Sequence, residues 1–175
     1  LESSDIQIQR TPYLVEELLE EFEEGLIRRH QANHVIIENE DDASLINIDS
    51  KLILQVLFNL VDNALKHAES HSEIKLDVQH ETNKIKFEMI DCGKGIPEEE
   101  RQLIFNPYYS GDYFKDNKKD SFGLGLYLVQ RILKQHNSEL EYQPNTPQGS
   151  IFYFYLTVNP IEMEGAMDEN NIIGR

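Results

Sequence analysis

The sequence predicts an α+β fold: a two-layer α/β sandwich in which a mixed, mostly antiparallel sheet is covered on one face by helices. Three observations carry that expectation. Ile74, Leu76 and Val78, and then Ile85, Phe87 and Met89, alternate with polar residues, the period of two adjacent strands with one buried face each. Other stretches repeat their apolar residues at helical spacing. Along the chain the order reads helix, strand, strand, helix, strand, strand, long loop, helix, strand. A length of 175 residues suits one hydrophobic core of ordinary size.

Taken in order, Thr11-Pro12 reads as an N-cap followed by proline at the first helical position. Leu14, Leu18 and Phe22, backed by Val15, Leu19 and Leu26, set a helix from about Pro12 to His30, whose glutamates from Glu16 to Glu24 form a solvated face. Val35-Ile36-Ile37 and Leu45 to Ile48 are β-rich runs joined by the turn-prone Glu38 to Asp42. Asp49 or Ser50 caps a second helix that runs to about His67 through Leu54, Leu57, Phe58, Val61 and Leu65. The two alternating strands follow, with His80 to Asn83 as their hairpin turn. Pro97 opens a short helix, Glu98 to Phe105, and residues 106–122 form a long polar stretch without a period, the mark of a functional lid or of disorder. Leu126 to His136 is helical again, Ile151 to Leu156 is the strongest strand signal, and 161–175 reads as a loosely ordered tail.

Composition narrows the function. Sixteen Lys and Arg against 32 Asp and Glu give a net charge of −16, which repels phosphate backbones and argues against a nucleic-acid module and against direct membrane contact. The single cysteine, Cys92, allows neither an internal disulfide nor a Cys-rich zinc site, and fits a reducing compartment such as the cytoplasm. No apolar run approaches the roughly 20 residues that cross a bilayer. The first residue is Leu, so the chain reads as a piece cut from a longer protein.

Four patches offer chemistry. In the second helix, Asn59 and Asn63 lie one turn apart with Lys66 on the same side, while Phe58, Val61, Ala64, Leu65 and Ala68 take the other. Two carboxamide oxygens can ligate a hard cation such as Mg²⁺, and the ammonium can attract the phosphates on which that cation leans. Asp91-Cys92-Gly93-Lys94-Gly95-Ile96-Pro97 joins a strand end to a helix start; the carboxylate can accept from an exocyclic amine, and the glycines let backbone approach a flat ligand. Phe105-Asn106-Pro107-Tyr108-Tyr109 supplies aromatic anchors where the long loop begins. Gly123-Leu124-Gly125-Leu126 places backbone N–H groups at a helix start, where an anion can bind.

In this order and separation the patches resemble the N, G1, F and G2 boxes of the ATP-binding catalytic domain of sensor histidine kinases, in the wider fold family of gyrase, MutL and heat-shock chaperone ATPases. The resemblance covers about Thr11 to Val158. It implies that Asp91 recognises the adenine amine and that Gly93, Gly95 and Ile96 line the base pocket. It implies that Asn63, assisted by Asn59, holds Mg²⁺, that Lys66 and His67 reach phosphates, and that Gly123, Leu124, Gly125 and Leu126 close over the triphosphate. Phe105 and Tyr108 would hinge and anchor an ATP lid at about 106–122. Asn59 and Lys66 would be the groups nearest the chemistry. Hydrolysing relatives carry a Glu one turn before the metal Asn to activate water; Asn59 cannot act as a base at neutral pH, so ATP is kept for transfer.

The sequence departs from the family pattern at Ser121-Phe122, where a small pair is usual, at Ser110, and at Asn137-Ser138 after His136. The first departure bulks a phosphate-facing position; the second leaves Lys115, Lys118 or Lys119 as lid cations. The phospho-acceptor histidine of the family sits on a separate helical dimerisation domain. His80-Glu81 falls in a hairpin turn, so the acceptor is expected outside this chain, with 1–10 as the remnant of a linker to it, 11–160 as the catalytic domain and 161–175 as a tail. The implied partners are that upstream domain of the same parent and a response-regulator receiver domain; the fragment would be a monomer and its parent a homodimer. Two other classes fit the same fold: an anti-sigma-type serine kinase, against which Asn59 argues, and a non-catalytic nucleotide-sensing module.

Overall fold

The computed structural model describes residues 7–40, 43–67, 73–109 and 123–159. Most of the expected lid, the tail, Ala68, Ser110, Lys115, Lys118, Lys119, Ser121 and Phe122 lie outside the described residues. Within them the elements are β1 (Thr11–Leu14), α1 (Val15–Arg28), β2 (Val35–Asn39), β3 (Leu45–Ile48), α2 (Ser50–His67), β4 (Ile74–Glu81), β5 (Lys84–Asp91), α3 (Gly125–Gln135), β6 (Glu141–Pro144) and β7 (Ser150–Thr157).

β2, β4, β5, β7 and β6 form a five-stranded sheet in that order. Only β2 and β4 run parallel; the other neighbours are antiparallel. Register aligns apolar residues in rows: Val78 opposite Phe87 opposite Phe154, and Leu76 opposite Met89 opposite Phe152. The rings of Phe87 and Phe154 stack at 5.1 Å. These rows share one core with Leu18 and Phe22 of α1, Leu57 and Leu60 of α2, and Val129 and Ile132 of α3, so the helices cover that face. Each such fully buried side chain stabilises the fold by roughly 2 kcal/mol. The opposite face carries ion pairs, Lys75 with Glu38 and Lys86 with Glu88, both at 2.7 Å. This is the mixed, mostly antiparallel two-layer sandwich that the alternation predicts.

Five local expectations are corrected. The first helix starts at Val15, because Thr11 to Leu14 pair with β3 as a two-stranded ribbon, and Leu14 takes the N-cap position with no side-chain cap. Pro12 is tolerated there because an edge strand can spare one N–H. The buried face of α2 is Ile53, Val56, Leu57, Leu60, Val61 and Ala64. Phe58 is half-buried and packs against the same core from the α1 side, where it lies over Gly25 and 5.1 Å from the Phe22 ring; a Cβ on Gly25 would sit 2.2 Å from the Phe58 ring tip. The helix expected over Glu98 to Phe105 is a 3₁₀ turn, Glu98–Glu100, followed by further turns. β6 is an additional edge strand at the end of the sheet, and the hairpin turn between β4 and β5 narrows to Thr82 and Asn83.

Candidate functional site

The site is assembled along the second half of α2. Asp49 caps this helix, its Oδ1 accepting from Leu52 N at 3.3 Å. The Asp49 N–H also donates to His136 Nε2 at 3.1 Å, which ties the start of α2 to the end of α3. The two helices therefore run antiparallel. Eleven residues of α3 at about 1.5 Å each bring its first turn, Gly125, roughly 16 Å along α2, to the level of Asn59 and Asn63.

The aspartate bend abuts the other end of α2. A Cβ on Gly93 would lie 2.4 Å from the carbonyl oxygen of His67, so only glycine permits this approach. Asp91 closes β5 and is 3% exposed. Its Oδ1 accepts from Gly93 N at 2.8 Å and from Ser150 N at 3.2 Å. Burial raises its pKa, and the hydrogen bonds from Gly93 and Ser150 act against that rise. The carboxylate is thus fixed in direction beside the end of α2. Its own carbonyl accepts from Asn145 Nδ2 at 2.9 Å, and Gly149, at φ +122°, passes so close that a Cβ there would be 2.0 Å from the Asp91 carbonyl oxygen.

The other expected residues fall as follows. Asn59 and Asn63 are half-buried and Lys66 is exposed. Burial, reinforced by the charges of Lys66 and Lys94, holds His67 down to about 4, so at neutral pH it offers a phosphate a hydrogen bond and no charge. Gly95 adopts φ +74° against Gly149, and Ile96 is buried with its N–H donating to Tyr142 Oη at 3.1 Å. Phe105 packs on the core and Leu126 is buried in it, so neither side chain is free to meet phosphate. Tyr108 is 74% exposed at φ +63°. Its N–H donates to Gly123 O at 3.1 Å, pinching together the two stems of the expected lid. Leu124 is exposed, and a Cβ on Gly125 would meet nothing within 4 Å, leaving open space over the helix start.

Ser150, Asn145 and Gly149 were not legible as site residues, because what makes them so is the β5–β7 register that sets Asp91 opposite Ser150. The one sequence signal near them is the Pro, Asn and Gly cluster before the last strand, which marks a turn and not where it lands. Lys94 has no role that its motif assigns, yet its charge acts on His67.

The donor set suits Mg²⁺. Asn59 Nδ2 is buried and has no hydrogen-bond partner among the described residues. A carboxamide turned over presents its oxygen at that point, a hard ligand for a hard cation. Among the described residues no group of three His, Cys, Asp or Glu side chains is placed to hold a metal, so a cation here would lean on carboxamides and phosphates. No helix among the described residues is long and apolar enough to cross a membrane.

A buried carboxylate, a carboxamide helix and an open helix start stand on one α/β sandwich, a set of groups that suits a nucleotide. Residues 48–160 match the family of histidine kinase-, DNA gyrase B- and HSP90-like ATPases. The chain belongs to this family. It is 32% identical over 148 residues to the adaptive-response sensory kinase SasA of Rippkaea orientalis, covering 84% of this chain and 37% of that protein. The chain thus spans just over a third of that relative's length. Its fold matches the nucleotide-free catalytic domain of histidine kinase ThkA with a TM-score of 0.72 at 24% identity, covering 85% of this chain and 95% of that one. The same fold occurs in ThkA in complex with the response regulator protein TrrA, with a TM-score of 0.70 at 23% identity, covering 89% and 43%.

Proposed function

We propose that the chain binds Mg²⁺-ATP and transfers the γ-phosphate to a histidine on a separate helical dimerisation domain, as the catalytic domain of a two-component sensor histidine kinase. The observation that carries this reading is that no carboxylate stands one turn before Asn63 on α2, where a water-activating base would be needed. Asn59 stands one turn before Asn63, and the single carboxylate of the helix, Asp62, is turned away to Gln31 Nε2 at 2.9 Å and Arg29 at 3.5 Å. A pocket that holds ATP without activating water keeps the phosphoryl group for another acceptor. The same feature speaks against the anti-sigma-type serine kinase. The named kinase relatives speak against a non-catalytic sensor.

In this reading Asp91 accepts the adenine amine, and Gly93, Gly95 and Ile96 form the wall of the base pocket. Asn63 and Asn59 would hold Mg²⁺, which would supply neutralisation of phosphate charge. Lys66 adds positive charge, His67 donates a hydrogen bond, and the N–H groups at the start of α3 meet phosphate oxygens. Gly125, with open space above it, lets those oxygens approach backbone. The acceptor imidazole nitrogen then attacks the γ-phosphorus; a P–N bond forms as the bond to the β,γ-bridging oxygen breaks, and ADP leaves. In this reading the domain works in the cytoplasm, and the phosphorylated partner would pass its phosphoryl group to a response-regulator receiver domain.

The test is to mix the chain with the helical domain of its parent and ATP labelled at the γ-phosphate. Acid-labile label on that domain, lost with Asn63→Ala and absent when the chain is incubated alone, is expected. Release of inorganic phosphate with no labelled protein would refute the proposal.

A further inference from the structure

Behind the aspartate bend, between it and the β6–β7 turn, runs an open groove of about 500 Å³. It shares Gly95 and Ile96 with the proposed base-pocket wall, and its lining includes none of Asn59, Asn63, Lys66, His67 or Asp91. It also includes no Asp or Glu, although the chain carries 32 of them, and it holds two cations, Lys94 and Arg101. Neither cation forms an ion pair among the described residues. In a molecule of net charge −16, and with Glu98, Glu99 and Glu100 in the adjoining 3₁₀ turn, the charged residues of the lining itself are cations alone.

Arg101 is held in place there. Its Nε donates to Ile96 O at 3.2 Å, and its guanidinium carbon lies 5.7 Å from the centre of the Tyr142 ring. Tyr142 is fixed in turn by accepting from Ile96 N. The opposite wall is equally tied: Asn145 bonds Asp91 O through its amide and Gly149 O through its backbone N–H at 3.1 Å. The terminal guanidinium nitrogens therefore remain for a ligand in a preformed slot, with Tyr142 and Pro147 as apolar surface and the Gln148 amide at the rim.

We infer that this groove docks an acidic peptide segment of a partner protein, with a carboxylate on Arg101, a second near Lys94, and an aliphatic side chain against Tyr142. Charge complementarity selects the occupant. A basic segment would meet two uncompensated cations, and a neutral one would leave them unused. Paired N–H donors of a guanidinium match a carboxylate in geometry as well as charge. At physiological salt the general repulsion from the rest of the chain is screened beyond about 8 Å, while contacts inside the groove are not.

The test uses a fluorescein-labelled peptide of alternating Glu and Leu, and a copy with Gln for Glu, followed by anisotropy at physiological salt. Saturable binding of the first peptide and none of the second is expected. Arg101→Gln and Gln148→Glu should each weaken it about tenfold, the scale of one charge-assisted contact. Gln148 is an exposed turn residue, so its variant folds and reports on charge alone. Absence of saturable binding, or equal affinity in both variants and the parent, would overturn the inference. So would binding that appears only after residues 160–175 are removed, which would assign the groove to the chain's own tail.

Discussion

Replacing Gly93 with Ala probes the joint on which the crevice depends. The added methyl would stand 2.4 Å from the His67 carbonyl oxygen and 3.0 Å from Asp91 Oδ1. The first of these is helix backbone, which cannot swing aside as a side chain would. Ordinary van der Waals contact begins at 3.4 Å, so the bend and the end of α2 must part by about 1 Å. Overpacking of this kind costs about 1–3 kcal/mol of stability. Displacement of about 1 Å between groups that position a reacting substrate costs about 100-fold in rate. Urea unfolding reads the first quantity, and transfer of labelled phosphate to the helical domain reads the second. Both should fall together. A Gly93→Ala protein that unfolds and transfers like the parent would show that α2 and the aspartate bend are not in contact, and the reasoning would fail.

Gly125→Ala separates binding from folding in the opposite sense: its methyl enters open space at a helix start, so stability should hold or rise by about 0.5–1 kcal/mol, while affinity for a nonhydrolysable ATP analogue falls in calorimetric titration. Undiminished affinity would remove phosphate from the start of α3. Acid should weaken the fold through two histidines, His136 buried and His67 half-buried. His136 donates from Nδ1 to Ile132 O and accepts at Nε2 from Asp49 N, and burial lowers its pKa from 6.5; His67 is lowered to about 4. The unfolded chain therefore binds more protons below its own histidine pKa, and their contribution, full above about pH 6.5, is lost as pH falls below it, for His67 toward about 4. Urea midpoints at about pH 7.5 and about pH 5 should show the drop, with a smaller drop in His136→Gln; an unchanged midpoint in the parent would contradict the burial assigned to both rings.

What could be read in the sequence was whatever repeats locally. The strands around Leu76 and Phe87, the extent of α2 to His67 and the start of α3 follow from period and capping within a few residues. Errors arose where a distant partner overrules a local signal. Thr11-Pro12 has the composition of a helix start, and only pairing with Ile48 and Asn47 makes it a strand. Glu141 to Pro144 is polar and ends in proline, so nothing marks it as β6 until β7 lies beside it. The apolar ring of α2 is nearly continuous from Leu52 to Leu65, which hid that Leu60 faces the core and Phe58 faces α1. At the site, Asp91, the two asparagines and the glycines stand in motifs, whereas Ser150 and Gly149 reach Asp91 across 59 and 58 residues of chain and carry no motif.

The central claim is that adenine is read by Asp91 at the foot of a crevice shared by α2, the bend and the start of α3. Calorimetric titration of Asp91→Asn with a nonhydrolysable ATP analogue and Mg²⁺ tests it most directly. The amide oxygen can keep the bonds from Gly93 and Ser150, so the variant should fold, while the loss of a charged acceptor, about 1.5–3 kcal/mol, predicts affinity lower by about 10- to 100-fold. A folded variant that binds the analogue as tightly as the parent would contradict the claim.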